Sequence, residues 1–201
     1  MPMSKTTYST SPAGERFAIP AERDYRLEFA RLQKLAARHR RQGREIVVVV
    51  GVGFVGAVMA AVVADSKDRK GRPGKFVMAM QRPSPRSFWK IPLLNRGVAP
   101  MRSEDPEVDR IIRRCVKDKR TLVATYTYDA LKLADVVVVD VQCDYLKESL
   151  GNCRTGRADM KALEEVLAII AEKIPAQAMV LIETTVAPGT TEQVAYPIMK
   201  K

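Results

Sequence analysis

Six residues carry the clearest chemical signal in the chain: Gly51, Val52, Gly53, Phe54, Val55 and Gly56, a G-x-G-x-x-G turn. Such a turn acquires meaning from its flanks, and both flanks agree here. It follows the apolar, β-branched run Ile46–Val50 and opens the apolar, helix-like stretch Ala57–Ala64. Gly51 allows the tight turn, Gly53 lets backbone approach a phosphate with no Cβ in the way, and Gly56 lets helix and strand pack closely. Unpaired amides and the dipole at a helix start attract anions, so the chemistry expected is the holding of a pyrophosphate.

A dinucleotide site of this kind usually has an Asp or Glu closing the second strand, where it binds the adenosine ribose hydroxyls. That strand, Phe76–Met80, ends instead in Gln81 and Arg82. Gln81 can hydrogen-bond a hydroxyl, and Arg82 can pair with a 2′-phosphate, which would favour NADP, so these residues leave NAD versus NADP open. Asp140 and Glu183 end two further apolar runs, on the side where ligands collect in parallel sheets. His39 lies in a basic segment without a carboxylate partner near it in sequence, which argues against catalysis. Cys115, Cys143 and Cys153 form neither a disulfide framework nor a zinc pattern, so no metal is expected. Trp89 and Phe88 lie in a Pro-rich stretch and suit packing anchors.

The elements that must position these groups follow from periodicity. Residues 1–19 are rich in Ser, Thr, Pro and Gly and are expected to be a mobile arm. Residues 20–44 form a basic amphipathic helix, with Tyr25, Phe29, Leu32 and Ala36 on one face and Gly43 as its stop. That face is expected to pack on the domain or on a second subunit, so a homo-oligomer is anticipated. Residues 82–105 are expected to be a long irregular excursion. Then come a helix from Pro106 capped by Asp105, a strand at 121–125, a helical turn at 128–133 and a strand at 136–140. A polar loop at 141–158, a helix at 159–173, a strand at 179–182 and a last helix at 190–200 complete the pattern. Apolar strands alternating with helices predict an α/β fold, a doubly wound Rossmann-type parallel sheet over 45–201 with an added N-terminal helix.

With 201 residues, 46% of them hydrophobic, the chain can bury the core of one ordinary domain. No run of about 18 apolar residues free of charge occurs, so no membrane span is expected, and no apolar leader core opens the chain. A cytoplasmic protein is the expectation. The formal net charge of +11 favours anionic partners. Nucleic acid is not expected among them, because aromatic residues are not interleaved with the basic ones.

At the last strand the chain reads Glu183-Thr-Thr-Val-Ala-Pro-Gly-Thr-Thr-Glu192. This resembles the STVxPGTT segment of the UDP-glucose/GDP-mannose dehydrogenase family. Gly51–Gly56 resembles that family's GxGYVG, Asn95-Arg-Gly-Val-Ala-Pro100 its NxGxxP stretch, and Ala134-Asp-Val-Val-Val-Val139 its ADVxxxxV strand. The family oxidises the C6 alcohol of a UDP- or GDP-sugar to a carboxylate, using NAD twice, in polysaccharide biosynthesis. The resemblance therefore implies an NAD-dependent dehydrogenase with a nucleotide-sugar substrate. It implies that Gly51 to Gly56 hold the pyrophosphate and that Val141, Gln142 and Cys143 line the adenosine side. Thr184 and Thr185 match the family's Ser-Thr pair, with Thr185 near the nicotinamide and a water; Glu183 is the further catalytic candidate beside it. Departures are Gln81 for Asp, Cys143-Asp144 for Thr-Pro, and a chain that stops before the family's nucleophilic Cys. The implied partner is then the C-terminal domain of the same enzyme, without which this chain is expected to be inactive. The alternative reading is a non-catalytic module that senses a dinucleotide or nucleotide-sugar and docks a partner through its basic helix.

Overall fold

The computed structural model describes residues 6–146 and 156–200. The first element is a small antiparallel hairpin, β1 (Tyr8–Thr10) and β2 (Arg16–Ala18), where a mobile arm is expected from composition. Its physical reason is a dock rather than a propensity. The buried Ser9 hydroxyl donates to Pro85 O at 2.9 Å and accepts from Trp89 N at 3.1 Å. Arg96 pairs with Glu15 at 2.6 Å, and the Arg16 guanidinium lies over the Tyr8 ring. Two segments that lack periodicity thus order each other.

Helix α1 (Glu22–Arg41) follows, with Glu22 and Asp24 in its first turn and Arg38, Arg40 and Arg41 in its last, which suits the helix dipole. Gly43 ends it at φ 73°, a conformation glycine adopts at little cost. Next come β3 (Glu45–Val50), α2 (Phe54–Asp65) and β4 (Lys75–Met80). The excursion at 82–105, expected to be irregular, contains the short helix α3 (Lys90–Asn95). Helix α4 (Pro106–Arg113), capped by Asp105 accepting from Glu107 N at 2.8 Å, runs into a π turn at Arg114–Asp118. Strand β5 (Leu122–Thr125), a 3₁₀ turn (Tyr128–Leu133) and β6 (Val136–Val139) come next. The polar loop after β6 holds a second small hairpin, β7 (Asp144–Leu146) with β8 (Arg157–Asp159), joined antiparallel. Helix α5 (Lys161–Lys173), β9 (Met179–Ile182), a π turn (Thr191–Ala195) and α6 (Tyr196–Met199) close the described chain.

Five strands form one parallel sheet in the order β5-β4-β3-β6-β9. The chain winds outward from β3 to β5, then returns past β3 to β6. The strand order therefore reverses between β3 and β6, which opens a crevice at the carboxyl ends of those strands. Both faces of β3 are buried. Val47 and Val49 meet the small residues Ala57, Ala60, Ala61 and Ala64 of α2, together with Ile112 and Cys115. Ile46, Val48 and Val50 meet Leu32 and Ala36 of α1 and Leu163 and Leu167 of α5.

That second face explains α1. The crossover from β5 to β6 is only the six-residue 3₁₀ turn, too short to roof the strands it joins. The N-terminal helix supplies the missing cover, with Leu32 at 0% exposure and His39 stacked on Phe76 at 3.9 Å between ring centres. The apolar stripe of α1, from which a second-subunit contact was an open expectation, is thus spent inside its own chain. On the opposite face, Asp65 at the end of α2 takes two bonds of 2.9 Å from Arg114 and one of 2.6 Å from Lys119. These cations, Arg114 foremost, hold its carboxyl well below the usual carboxylate range.

Candidate functional site

The site grows from the glycine turn. Gly51 has φ 108°, and a Cβ there would run into the backbone carbonyl of Asp140 at the end of β6. A Cβ on Gly56 would run into the carbonyl of Gly51, so the first turn of α2 lies directly on the end of β3. Around Gly53, by contrast, no atom stands within 4 Å of an added Cβ. Space is thus kept open in front of the α2 start, where no side chain caps the first-turn amides. This is a cradle with the shape a pyrophosphate needs: close backbone on two sides, unpaired donors at its floor, and an open mouth. The group fits the residues present.

Two side chains lock the turn from the β4 side. Gln81 Oε1 accepts from Val52 N at 2.9 Å, and Lys90 Nζ donates to Val52 O at 3.1 Å. Val52 itself is fully buried, so it contributes backbone rather than side chain. Both ends of the Gln81 amide thus have partners in the chain, since its Nε2 donates to Arg82 O at 3.4 Å. Arg82 reaches Glu165 of α5 at 3.9 Å, with both side chains at least half exposed, a pair of little energetic weight. Lys90 is a site residue that sequence reasoning missed. Its signal was faint, a single lysine opening a helix inside a stretch with no periodicity. Burial pushes its ammonium below the ordinary lysine range.

Together these residues line a cleft of 290 Å³ at the strand-order reversal, bounded by Gly51, Gly53, Gln81, Arg82, Lys90, Tyr128, Asp140, Val141, Gln142 and Glu165. Six of the residues singled out from sequence as cofactor contacts are therefore gathered in one place. Phe54 and Val55 stand exposed on the first turn of α2, outside the cleft lining. Gly56 is buried beneath the turn.

The catalytic candidates lie elsewhere. Thr184 Oγ1 donates to Val141 O at 2.9 Å and toward Val139 O at 3.3 Å, tying the end of β9 to the end of β6. Its hydroxyl is engaged in structure. Glu183 and Thr185 are exposed and do not line the cleft. Cys143 also stands outside the lining, just before β7, with Sγ donating to Asp159 O at 3.5 Å. Burial, with Asp159 and Asp144 beside it, pushes its thiol up, away from nucleophile character. Cys115 is fully buried and pushed up to about 11, chiefly by burial. Cys153 lies outside the described residues. Burial, then Arg44 and Arg38, pushes the His39 imidazole down to about 4, in keeping with a stacked, neutral ring. Asn95 proves structural: its side-chain amide pairs with both backbone groups of Ala124, at 2.7 and 3.0 Å. Among the described residues no cluster of metal-ligating side chains occurs, and no helix is long and apolar enough to cross a membrane.

Comparison with known proteins agrees with this geometry. Residues 45–201 match the model of the UDP-glucose/GDP-mannose dehydrogenase family, NAD binding domain. A curated relative, UDP-N-acetyl-D-mannosamine dehydrogenase of Pyrococcus horikoshii, is 29% identical over 149 residues, covering 74% of this chain and 30% of the relative. The crystal structure of NDP-N-acetyl-D-galactosaminuronic acid dehydrogenase from Methanosarcina mazei superposes with a TM-score of 0.68 at 28% identity, over 84% of this chain and 33% of that one. GDP-mannose dehydrogenase of Pseudomonas aeruginosa shares the fold, with a TM-score of 0.61 at 23% identity over 77% of this chain and 31% of that one. The chain thus spans about a third of the length of the relatives it matches.

Proposed function

Because the chain belongs to the UDP-glucose/GDP-mannose dehydrogenase family through its NAD-binding domain, we propose that it is the cofactor-binding part of a nucleotide-sugar 6-dehydrogenase. The reaction is oxidation of the C6 alcohol of a UDP- or GDP-sugar to a carboxylate, a step that supplies acidic sugars for polysaccharide synthesis. The observation that carries this reading is the cradle: Gly51 and Gly56 admit no Cβ, while Gly53 leaves the α2 start open.

NAD, when bound, would supply the hydride acceptor for the oxidation. The chain's own residues do the rest of the holding. The α2 amides and the Gly51–Gly53 backbone bind the phosphates, and Lys90, already fixed on Val52 O, adds a positive charge beside them. Gln81 Oε1 keeps Val52 oriented, and Val141 and Gln142 wall the adenosine side. Thr184 joins β9 to β6, so that Thr185 and Glu183 stand at the carboxyl edge of the sheet. There Thr185 holds a water near the reacting carbon, and Glu183 contacts it or the substrate. Two-stage oxidation consumes one water and releases protons, so an ordered water at that edge has a chemical purpose.

The remaining partners are the sugar nucleotide and the C-terminal part of the same enzyme. Met179 and Leu181 are about half exposed on the outer strand of the sheet. This apolar edge is the surface on which the rest of the enzyme would pack, and without it the chain is inactive on sugar nucleotides. Calorimetric titration with NAD⁺ and with NADP⁺ tests the reading. Binding of NAD⁺ in the micromolar to sub-millimolar range supports it. Preference for NADP⁺ would assign Arg82 to a 2′-phosphate, and absence of binding by the folded chain would refute the reading.

A further inference from the structure

One group in the cleft is unexplained by cofactor holding. Asp140 follows β6 directly. Its main chain lies against Gly51, and its Oδ2 stands 3.0 Å from where a Cβ of Gly56 would be. That oxygen is buried and has no hydrogen-bond partner. A carboxylate that reads ribose hydroxyls stands at the end of β4, on the other side of β3. Asp140 instead faces the phosphate cradle, where a second negative charge is unfavourable.

The charged groups around it are few. From β9, Glu183 adds negative charge. From α3, Lys90 directs its ammonium to Val52 O. Arg82 after β4 and Glu165 of α5 face each other at 3.9 Å, and the Tyr128 hydroxyl of the 3₁₀ turn is neutral at ordinary pH. The first turn of α2 brings no ionised side chain. Burial, reinforced by Glu183, already holds the Asp140 carboxyl above the ordinary carboxylate range. A bound pyrophosphate adds two further negative charges to the same concave site, and like charges in a shared site raise the affinity of the carboxyl for a proton.

We propose that Asp140 couples dinucleotide binding to proton uptake: the phosphates seat on the glycine turn when this carboxyl is neutral, so affinity falls as the pH rises. The inference rests on the dinucleotide reading above.

The test is calorimetric titration of the chain with NAD⁺ at about pH 6 and about pH 8, each in two buffers of different ionisation enthalpy. One linked proton gives up to about a tenfold loss of affinity per pH unit above the carboxyl's own range. The wild-type chain is expected to take up a substantial fraction of a proton and to bind at least tenfold more weakly at the higher pH. Asp140→Asn should bind at both pH values as the wild type does at the lower one, with no uptake. Glu183→Gln should move the fall in affinity to lower pH. A flat wild-type profile without uptake, an Asp140→Asn profile that still falls, or a fall unmoved by Glu183→Gln each overturns the proposal. If Asp140→Asn does not fold, wild-type uptake together with the Glu183→Gln shift decides it. Binding without proton linkage defeats this inference alone, whereas no binding at either pH defeats the dinucleotide reading and this inference with it.

Discussion

The central strand β3 and the outer strand β9 of the sheet are built to different standards. At the β3 end, every residue from Ile46 to Val50 is buried, and Val52 is fixed by side chains from two separate segments. At the β9 end, Met179 and Leu181 stand half exposed, and the strand end is tied to its neighbour by the Glu183 and Thr184 amides on Val139 O and by one side chain, the Thr184 hydroxyl. The difference separates two tasks. The cradle is backbone geometry held in place by Gln81 and Lys90, all within this chain. In the function proposed above, acting on a sugar falls to groups on this less enclosed edge.

The largest expected effect breaks that comparison at its strong end. Gly56→Ala drives a Cβ into the Gly51 carbonyl, a backbone group with no freedom to yield. We expect a loss of roughly 3 kcal/mol or more in denaturant unfolding, in line with severe overpacking. Gly53→Ala is the informative partner. It meets nothing within 4 Å, so stability should hold within about 1 kcal/mol while NAD⁺ affinity falls tenfold or more. If Gly53→Ala binds NAD⁺ as the wild type does, the phosphates do not approach that backbone and the cradle has been misplaced.

Next in size is the roof over the sheet. Leu32→Ala in α1 empties a fully buried position against β3 and β4, and should cost about 2–5 kcal/mol. Leu27→Ala on the exposed face of the same helix, at 71% exposure, should change stability by no more than about 0.5 kcal/mol. Equal effects at the two positions would mean that α1 is an appendage rather than part of the core.

How much of this was legible in the sequence follows from which forces shape each part. Ile46–Val50 with Gly51–Gly56 declares strand, turn and helix start, because an unbroken β-branched run has no other comfortable place than the middle of a parallel sheet. The hairpin of Tyr8–Ala18 was hidden, since its stability comes from Ser9 bonding Pro85 and Trp89, more than seventy residues away. Lys90 was hidden by the same rule: α3 forms in a stretch whose local pattern is aperiodic. Gln81 was legible as a site residue but not in its orientation, because which of its atoms faces the turn depends on Val52 being brought alongside. The burial of one oxygen of Asp140 could not be read from a run that simply ends in a carboxylate.

A smaller effect concerns pH. In the unfolded chain the His39 imidazole takes a proton near pH 6.5, whereas in the fold it stays neutral down to about 4. The unfolded state therefore binds more protons in that window. The stability due to the neutral ring is complete above the unfolded value and is lost as the pH falls through the window. From about pH 7 to about pH 5 this linkage should remove on the order of 2 kcal/mol. His39→Gln should be less stable at neutral pH, having lost the Phe76 stack, but should show a visibly shallower dependence on acid. A slope identical to that of the wild type would place the acid sensitivity in another group.

The smallest expected effects lie at the weak end, and they separate two adjacent threonines that look alike in sequence. Thr184→Val removes a donor to the Val141 and Val139 carbonyls and keeps the shape, so it should cost about 1 kcal/mol of stability. The cost also reaches the cleft, because Val141 lines it; NAD⁺ binding should weaken by a few-fold as that wall loosens. Thr185→Val exposes a methyl where a hydroxyl met solvent, and should change neither unfolding nor NAD⁺ affinity in this chain. In the full-length enzyme the order should invert. Thr185→Val should lower kcat by about tenfold or more if its hydroxyl positions the reacting water, a contribution in the range of one positioned polar group. Loss of NAD⁺ affinity in the Thr185 variant of the isolated chain would show that the hydroxyl touches the cofactor rather than the water. That result would move the boundary between the two tasks one residue toward the cradle.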